Sequence, residues 1–164
     1  MLPIQFALEL EASTNIYVAG LSDAAATGIA PIITLINSSQ KEFLQLLSVA
    51  SAINIDTAPY PDINETQLLG SDSSWQQLNQ NTAAADASMT ELITLWAIYT
   101  AIDKSIQFYQ QAASNSAHPQ TRLFYSSLCQ VKKILRRRID GHIQIYYNHY
   151  WGQLGFAPFI LGKD

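Results

Sequence analysis

Apolar residues recur every three or four positions in four separate stretches of the chain, which is the spacing of one face of an α-helix. These stretches predict helices at about residues 4–21, 31–53, 83–113 and 121–150. Pro31 suits the first turn of the second helix, where a proline ring removes no hydrogen bond. His118 and Pro119 interrupt the pattern between the third and fourth helices. The sequence therefore predicts an all-α chain.

A long segment without helical periodicity, at about residues 54–82, separates the second and third predicted helices. It holds two prolines and Gly70 among Asp, Asn and Ser, all of which favour turns. A connection of this length inside a compact domain needs a structural reason. One reason is a crossover that runs the length of a helical bundle, so that the second helical hairpin starts from the other end. Trp75 and the apolar pair Leu68 and Leu69 are expected to anchor it.

The chain has 164 residues, about the size of one domain. The last segment, 151–164, is apolar but contains glycines and a proline, so we expect a coil docked on the helices. The predicted architecture is a single domain over residues 1–164. It is an up-down four-helix bundle, made of two helical hairpins joined by a long crossover loop.

The surface carries few charges. Apolar residues make up 48% of the chain and charged residues 13%, and this low charge favours self-association or a protein partner. The net charge of −4 argues against nucleic acid as the partner, because phosphate binding needs clustered Lys and Arg.

No sequence feature points to export or to a membrane. Cys129 is the single cysteine and cannot form an intramolecular disulfide. The first residues lack the basic region of a signal peptide, and no apolar run approaches the roughly 18 residues of a membrane span. We therefore expect a soluble, cytoplasmic protein that does not bind membranes.

Two local motifs accompany the predicted architecture. FALELEASTNIY, residues 6–17, places an acidic residue before a run with Ala and an aromatic residue, and IDKSIQFYQQAA, residues 102–113, contains Phe-Tyr. With two hairpins and a long crossover, these segments resemble the ferritin-like bundle of rubrerythrins and related small domains. The resemblance covers about residues 4–53 and 89–140. It implies a ferritin-like fold with an iron or manganese site between the helices.

The resemblance assigns metal-ligand positions, and the first hairpin fills them only in part. In that family, two helices each supply a Glu, and the other two each supply a Glu-x-x-His pair. Glu11 and Glu42 match the carboxylate positions of the first hairpin. Gln45 stands three residues after Glu42, where a histidine would be needed. The two carboxylates are therefore interpreted as a vestigial metal site.

The second hairpin aligns with the first as a pseudo-repeat but offers no ligands. Its matching positions are Ile102, Lys132 and Leu135. Shifting this alignment by one residue would place Asp103 at a ligand position but would still supply no histidine. A dinuclear site needs about four carboxylates and two imidazoles, and an ammonium group at Lys132 would repel a cation. We therefore expect no cofactor, with iron or manganese as the alternative.

Lys132 suggests what replaces the metal. An ammonium group between Glu11 and Glu42 would neutralise inward carboxylates, because a buried charge persists only when it is paired and hydrogen-bonded. The prediction is an ionic plug of Glu11, Glu42 and Lys132. In the alternative, Lys132 extends to solvent and Glu42 lies on an outer face.

Histidines and basic residues of the fourth helix are weaker candidates. His142 and His149 share one face with Tyr146 but lie two turns apart, too far to hold one metal ion without a partner chain. We expect them to pack. The basic stretch KKILRRR, residues 132–138, points to several sides of a helix, which indicates a solvated face and no nucleic-acid site.

Aromatic residues are dense near the C-terminal end. Such side chains are favoured where one end is buried and the other is wet, so this region is predicted to contact a second copy or a protein partner. The alternative is that it closes the end of the bundle. The residues are Tyr146, Tyr147, Tyr150, Trp151, Phe156 and Phe159.

Three functional hypotheses follow. The first is a ferritin-like protein that has lost its metal site and has a structural or interaction role. The second is a metal-dependent oxidoreductase or iron-handling protein with an atypical site of Glu11, Glu42 and His142. The third is a binder of a small apolar ligand, in a pocket left between the helices where the metal once was. Whether the protein is an enzyme stays open, since the chain contains no Ser-His-Asp arrangement, phosphate loop or dinucleotide fingerprint.

Overall fold

A computed structural model describes residues 2–24, 29–81 and 89–153, and these residues are helical with connecting turns. The prediction of an all-α chain is confirmed. Within the three described segments, no helix has both the length and the apolar character needed to cross a bilayer. The helices are α1 (Pro3–Ala24), α2 (Ala30–Ser51), α3 (Glu65–Leu69), α4 (Asp72–Asn81), α5 (Met89–Asn115) and α6 (Pro119–Gln153).

The segment predicted to be an irregular crossover contains two short helices, α3 and α4. Asn64 caps α3, because its side-chain oxygen accepts a hydrogen bond from the backbone N–H of Gln67 at 3.1 Å. Gly70 ends α3 with φ of 76°, a conformation that a residue with a side chain rarely adopts. The prediction of an irregular segment is therefore wrong for residues 65–69 and 72–81. Helices this short have too few turns for their apolar residues to show a helical period.

The C-terminal end of the last helix also differs from the expectation. Residues 151–153 continue α6 where a coil was predicted, because a single glycine weakens a helix without necessarily ending it. The remainder of the predicted tail, 154–164, lies outside the described residues, as do residue 82 of the predicted crossover and residues 83–88 of the predicted third helix.

The long helices form two antiparallel pairs. α1 packs mainly against α2, and α5 against α6. The pairs meet with α1 and α5 antiparallel, because Phe6 near the start of α1 lies 4.9 Å from Phe108 near the end of α5, measured between ring centroids. One end of the assembly therefore gathers the starts of α1 and α6 and the ends of α2 and α5. In consequence, α2 and α5 run in the same direction.

The crossover returns the chain to the far end by following α6. Tyr60 stacks on Phe124 and its hydroxyl lies 3.2 Å from that of Thr121. Further along, Asp72 binds Arg138. Thr121 and Arg138 are about 25 Å apart along a helix that rises 1.5 Å per residue. Trp75, 2% exposed, and the buried pair Leu68 and Leu69 anchor this segment.

The helices enclose one continuous apolar core. All four long helices contribute to it, with the largest side chains from α2, α5 and α6, and the crossover adds its anchoring residues. The long-helix members include Ile33, Ile36, Phe43, Leu47, Leu95, Ile98, Ile102, Tyr109, Leu128, Leu135, Ile139 and Tyr146. The ferritin-like four-helix bundle stays a prediction.

Candidate functional site

Four polar side chains lie in the middle of this core, one from each long helix. They are Glu11 of α1, Gln40 of α2, Tyr109 of α5 and Lys132 of α6, here called the central cluster. None of them has measurable exposure to solvent. Burying a carboxylate and an ammonium group is costly unless both are fully hydrogen-bonded, so the contacts within the cluster decide whether it is stable.

Each member points inward because it replaces an apolar residue on the buried stripe of its helix. Glu11 occupies the stripe of Ala7 and Val18, and Lys132 that of Leu128 and Leu135. Residues three and four apart share a helix face, so these charges cannot leave the core without turning their apolar neighbours outward.

Glu11 accepts a hydrogen bond from each of the other three helices. Its Oε1 atom accepts from the hydroxyl of Tyr109 at 2.8 Å. Its Oε2 atom accepts from the Nζ atom of Lys132 and the Nε2 atom of Gln40, both at 2.8 Å. Three donors on one carboxylate offset much of the cost of removing it from water.

Lys132 is held as completely as its partner. Its Nζ atom also donates to the Oε1 atom of Gln40 at 2.6 Å and lies 4.0 Å from the centre of the Phe43 ring. Because an ammonium group can only donate and a carboxylate can only accept, the amide of Gln40 has one orientation that serves both. The cluster therefore joins all four long helices to one another by hydrogen bonds at one place in the core.

Burial perturbs the titration of two members. Loss of water lowers the pKa of Lys132 below 10.5, and the charge and hydrogen bond of Glu11 oppose this change. Burial first, and then the charge of Glu11, raise the pKa of Tyr109 well above 10.0. The phenol of Tyr109 therefore stays protonated and remains a donor to Glu11 at physiological pH.

The structure brings Glu11 and Lys132 together but places Glu42 elsewhere. Glu42 is half-buried and lines a shallow surface cavity with Gln45 and Asp62. Gln40 occupies the position expected for Glu42, because two residues along a helix correspond to about 200° of rotation. The predicted three-residue plug is corrected to the central cluster. The signal for Gln40 was present, since it lies on the stripe that carries Phe43.

The residues of the second hairpin that match metal-ligand positions lie partly in the core and partly at the surface. Ile102 and Leu135 are fully buried apolar residues. Asp103, the residue that a shifted alignment would bring in, forms an ion pair with Arg136 at the partly exposed edge of α5 and α6. Asp103 therefore lies outside the central cluster.

The central cluster does not fit a dinuclear metal centre. It offers one carboxylate, both oxygens of which already accept hydrogen bonds, and places an ammonium group where a cation would be. Among residues 2–24, 29–81 and 89–153, no group of three or more His, Cys, Asp or Glu side chains is arranged to hold a metal ion. Glu11, Glu42 and His142 therefore do not form one site.

His142 is buried in the core, ten residues after Lys132 on α6. It is 1% exposed, and its ring lies 5.2 Å from that of Tyr146. Burial lowers its pKa from 6.5 to about 4. His118 instead lies exposed at the start of α6, where its Nδ1 atom accepts a hydrogen bond from the backbone N–H of Gln120.

The buried imidazole of His142 predicts that acid destabilises the fold. Between pH 6.5 and about 4, the unfolded chain binds a proton at this residue and the folded chain does not. Its contribution is therefore fully present above pH 6.5 and is lost as the pH falls to about 4, by about 3 kcal/mol. Urea unfolding across this range should show a shallower pH dependence for His142→Phe and the wild-type dependence for His118→Gln. Equal slopes in His142→Phe and the wild type would contradict the assignment.

The basic stretch 132–138 separates into individual roles. Lys132 is buried in the central cluster, and Arg136 pairs with Asp103. Arg138 binds Asp72 and lies 5.7 Å from the centre of the Trp75 ring. Arg138 thus fastens the crossover to α6, a role that the sequence did not indicate.

The aromatic C-terminal region is partly core. Tyr146 is 2% exposed, so the prediction that it contacts a partner is corrected. Tyr147 and Trp151 are half-buried, with ring centroids 5.8 Å apart. The side chain of Tyr150, together with Phe156 and Phe159, lies outside the described residues.

A cavity of about 600 Å³ opens at the end where α1 and α6 begin and α2 and α5 end, and it is here called the end cavity. No member of the central cluster lines it, but Tyr125 of its lining stacks on Tyr109 of the cluster, with ring centroids 6.3 Å apart. Its apolar lining includes two phenylalanines and two tyrosines, with amide and hydroxyl side chains among them. The residues are Leu2, Pro3, Ile4, Phe6, Ala50, Ser51, Ile53, Tyr60, Phe108, Gln111, Ala112, Asn115, Ser116, Thr121 and Tyr125.

The described residues thus contain two candidate functional sites, the central cluster and the end cavity. The cluster is built from the four long helices, and the cavity from their ends and the crossover. Neither site contains a set of metal ligands among the described residues. No family model, curated protein or solved structure with which the chain was compared matches it.

Proposed function

We propose that this chain is a ferritin-like four-helix bundle that functions without a metal, as a structural or interaction protein. The order of the helices supports the bundle. Two antiparallel pairs, α1 with α2 and α5 with α6, are joined by a crossover that follows α6, so that α2 and α5 run in the same direction. A ferritin-like bundle has one long crossover of this kind.

The proposal that the protein functions without a metal rests on the salt bridge between Glu11 and Lys132, which is 2.8 Å long and has both side chains fully buried. A cation at this position would have to displace the ammonium group and compete with the hydrogen bonds of Tyr109 and Gln40. We further propose that the cluster selects one register of the four helices. A single buried polar residue can set helix register in coiled coils by the same physics.

An interaction role is supported by apolar side chains at the surface. Tyr147 and Trp151 remain half-buried near the end of α6, and Ile16 is 72% exposed on α1. Tyr147 and Trp151 are the residues proposed to contact a second copy or a protein partner.

Metal content tests this function. We expect untagged protein, expressed with added iron and manganese, to contain well under one ion of either metal per chain by elemental mass spectrometry, because Lys132 occupies the site. A ferritin prepared in parallel provides the control for loading. One or two ions per chain, retained after dialysis, would contradict the proposal and favour the oxidoreductase hypothesis.

The end cavity favours a second candidate function, the binding of a small apolar molecule. The sequence suggested a pocket at the former metal position, but the central cluster fills that position. The end cavity is a separate, preformed space, and its volume of about 600 Å³ lies within the usual range of ligand sites.

A further inference from the structure

We infer that the end cavity binds one uncharged aromatic molecule that carries a hydroxyl or carbonyl group. This inference rests on the proposed ligand-binding function and is independent of the metal-free core. It depends on three properties of the cavity, which are its aromatic walls, the absence of charged side chains among its described residues and the position of its polar groups.

Aromatic side chains form the walls. Phe6 and Phe108 are in tilted contact across α1 and α5, with centroids 4.9 Å apart. Tyr60, from the crossover, faces the cavity on one side and stacks on Phe124 at 4.5 Å on the other. Aromatic rings attract one another in tilted or offset geometry at 4.5–7 Å, so a planar ligand gains more here than an alkyl chain of equal area.

Charged side chains are absent from the described part of the lining. The described residues that form the cavity include no Asp, Glu, Lys, Arg or His. Burial raises the pKa of Tyr125 to about 12, so that its phenol is neutral at physiological pH. Arg122 lies nearby but is exposed, and its guanidinium group donates to the carbonyl of Ser116. A charged ligand would lose water without gaining a counter-charge inside the cavity.

Most of the polar groups of the lining lie where α5 ends and α6 begins, and Ser51 adds a hydroxyl from the end of α2. Gln111 and Asn115 supply amides, and Thr121 supplies a hydroxyl that is 3.2 Å from that of Tyr60. An apolar pocket with a small number of such groups fixes the orientation of a ligand through one or two hydrogen bonds. A single hydroxyl or carbonyl on the ligand would satisfy this arrangement.

The test compares three naphthalene probes of nearly equal size by titration calorimetry at pH 7. They are uncharged 2-naphthol, anionic 2-naphthoate and cationic 1-naphthylmethylammonium. We expect 2-naphthol to bind at one site per chain, and both charged probes to bind at least tenfold more weakly.

Matched variants locate the site. Ser51→Trp fills the cavity from the end of α2, whereas Ser48→Trp places the same side chain one turn earlier, at an exposed position that does not line it. We expect the first to raise the Kd for 2-naphthol more than tenfold and the second to change it less than twofold. Asn115→Trp and its neighbour Ser114→Trp on α5 provide a second pair if either α2 variant has an altered circular dichroism melt.

The possible outcomes distinguish failure of this inference from failure of the proposed ligand-binding function. Absence of binding by all three probes overturns both the ligand-binding function and the inference. Equal affinity for a charged probe, lost in Ser51→Trp, leaves a ligand site at this end and overturns its preference for uncharged molecules. Binding of 2-naphthol that neither cavity-filling variant weakens overturns the assignment to this cavity.

Discussion

Replacing Lys132 with methionine is expected to lower the free energy of unfolding by about 3–5 kcal/mol, the usual cost of removing one partner of a buried ion pair. Glu11 would keep its hydrogen bonds from Tyr109 and Gln40 but lose the charge that neutralises it. The Oε1 atom of Gln40 would also lose its donor. Urea unfolding followed by circular dichroism measures the loss.

Two further variants separate the lost charge from the altered side chain. Lys104→Met changes an exposed lysine on α5 and should alter stability by less than about 0.5 kcal/mol. The double variant Glu11→Met with Lys132→Met removes both charges and should recover most of the loss, since well-packed apolar residues often replace a buried ion pair at no cost. If Lys132→Met were as stable as Lys104→Met, the central cluster would not be the buried ion pair described here.

Replacing Trp75 with alanine is expected to cost about 3–5 kcal/mol, the range for removing a buried tryptophan. The ring is 2% exposed, and its Nε1 atom donates to the carbonyl of Leu69 at 2.8 Å. Arg138 would lose the ring beneath its guanidinium group. The crossover should detach before the long helices unfold, so limited proteolysis is expected to cut within residues 55–81 of the variant first.

The control for this prediction lies next to Trp75 on α4. Gln76 is exposed, and Gln76→Ala should keep the unfolding midpoint and proteolysis pattern of the wild type. A loss below about 1 kcal/mol in Trp75→Ala, or cleavage that begins in the long helices, would show that the crossover is held by other contacts.

Helical periodicity was sufficient to predict the long helices, because their buried stripes repeat over many turns. The prediction of α2 at 31–53 compares with Ala30–Ser51 in the structure. The short helices of the crossover were missed, since α3 spans five residues and its cap at Asn64 is a local signal. Arg138 was unpredictable for a different reason, because its partner Asp72 is 66 residues away in the chain.

The central cluster shows why a site is harder to predict than a helix. Lys132 is predicted from the alignment of the second hairpin on the ferritin-like ligand positions, where it replaces a carboxylate, and the structure pairs it with Glu11. Gln40 has no counterpart in the ferritin-like ligand set, in which this position is a carboxylate, so the resemblance indicates Glu42 instead. The face of the helix, set by Ile36 and Phe43, was the better guide.

The partners of Glu11 lie far from it in the chain, and this separation affects the order of folding. Each hairpin can form from contacts between neighbouring helices, whereas the bonds of Glu11 to Tyr109 and Lys132 join residues 98 and 121 apart in the chain. Contacts of such high sequence separation require closure of a large loop, which slows folding. The two hairpins therefore have to meet before Glu11 can bind Tyr109 and Lys132, and we expect both charges to remain hydrated until then. We expect the docking of the hairpins to exclude water from this pair and to admit only the alignments in which the two charges meet.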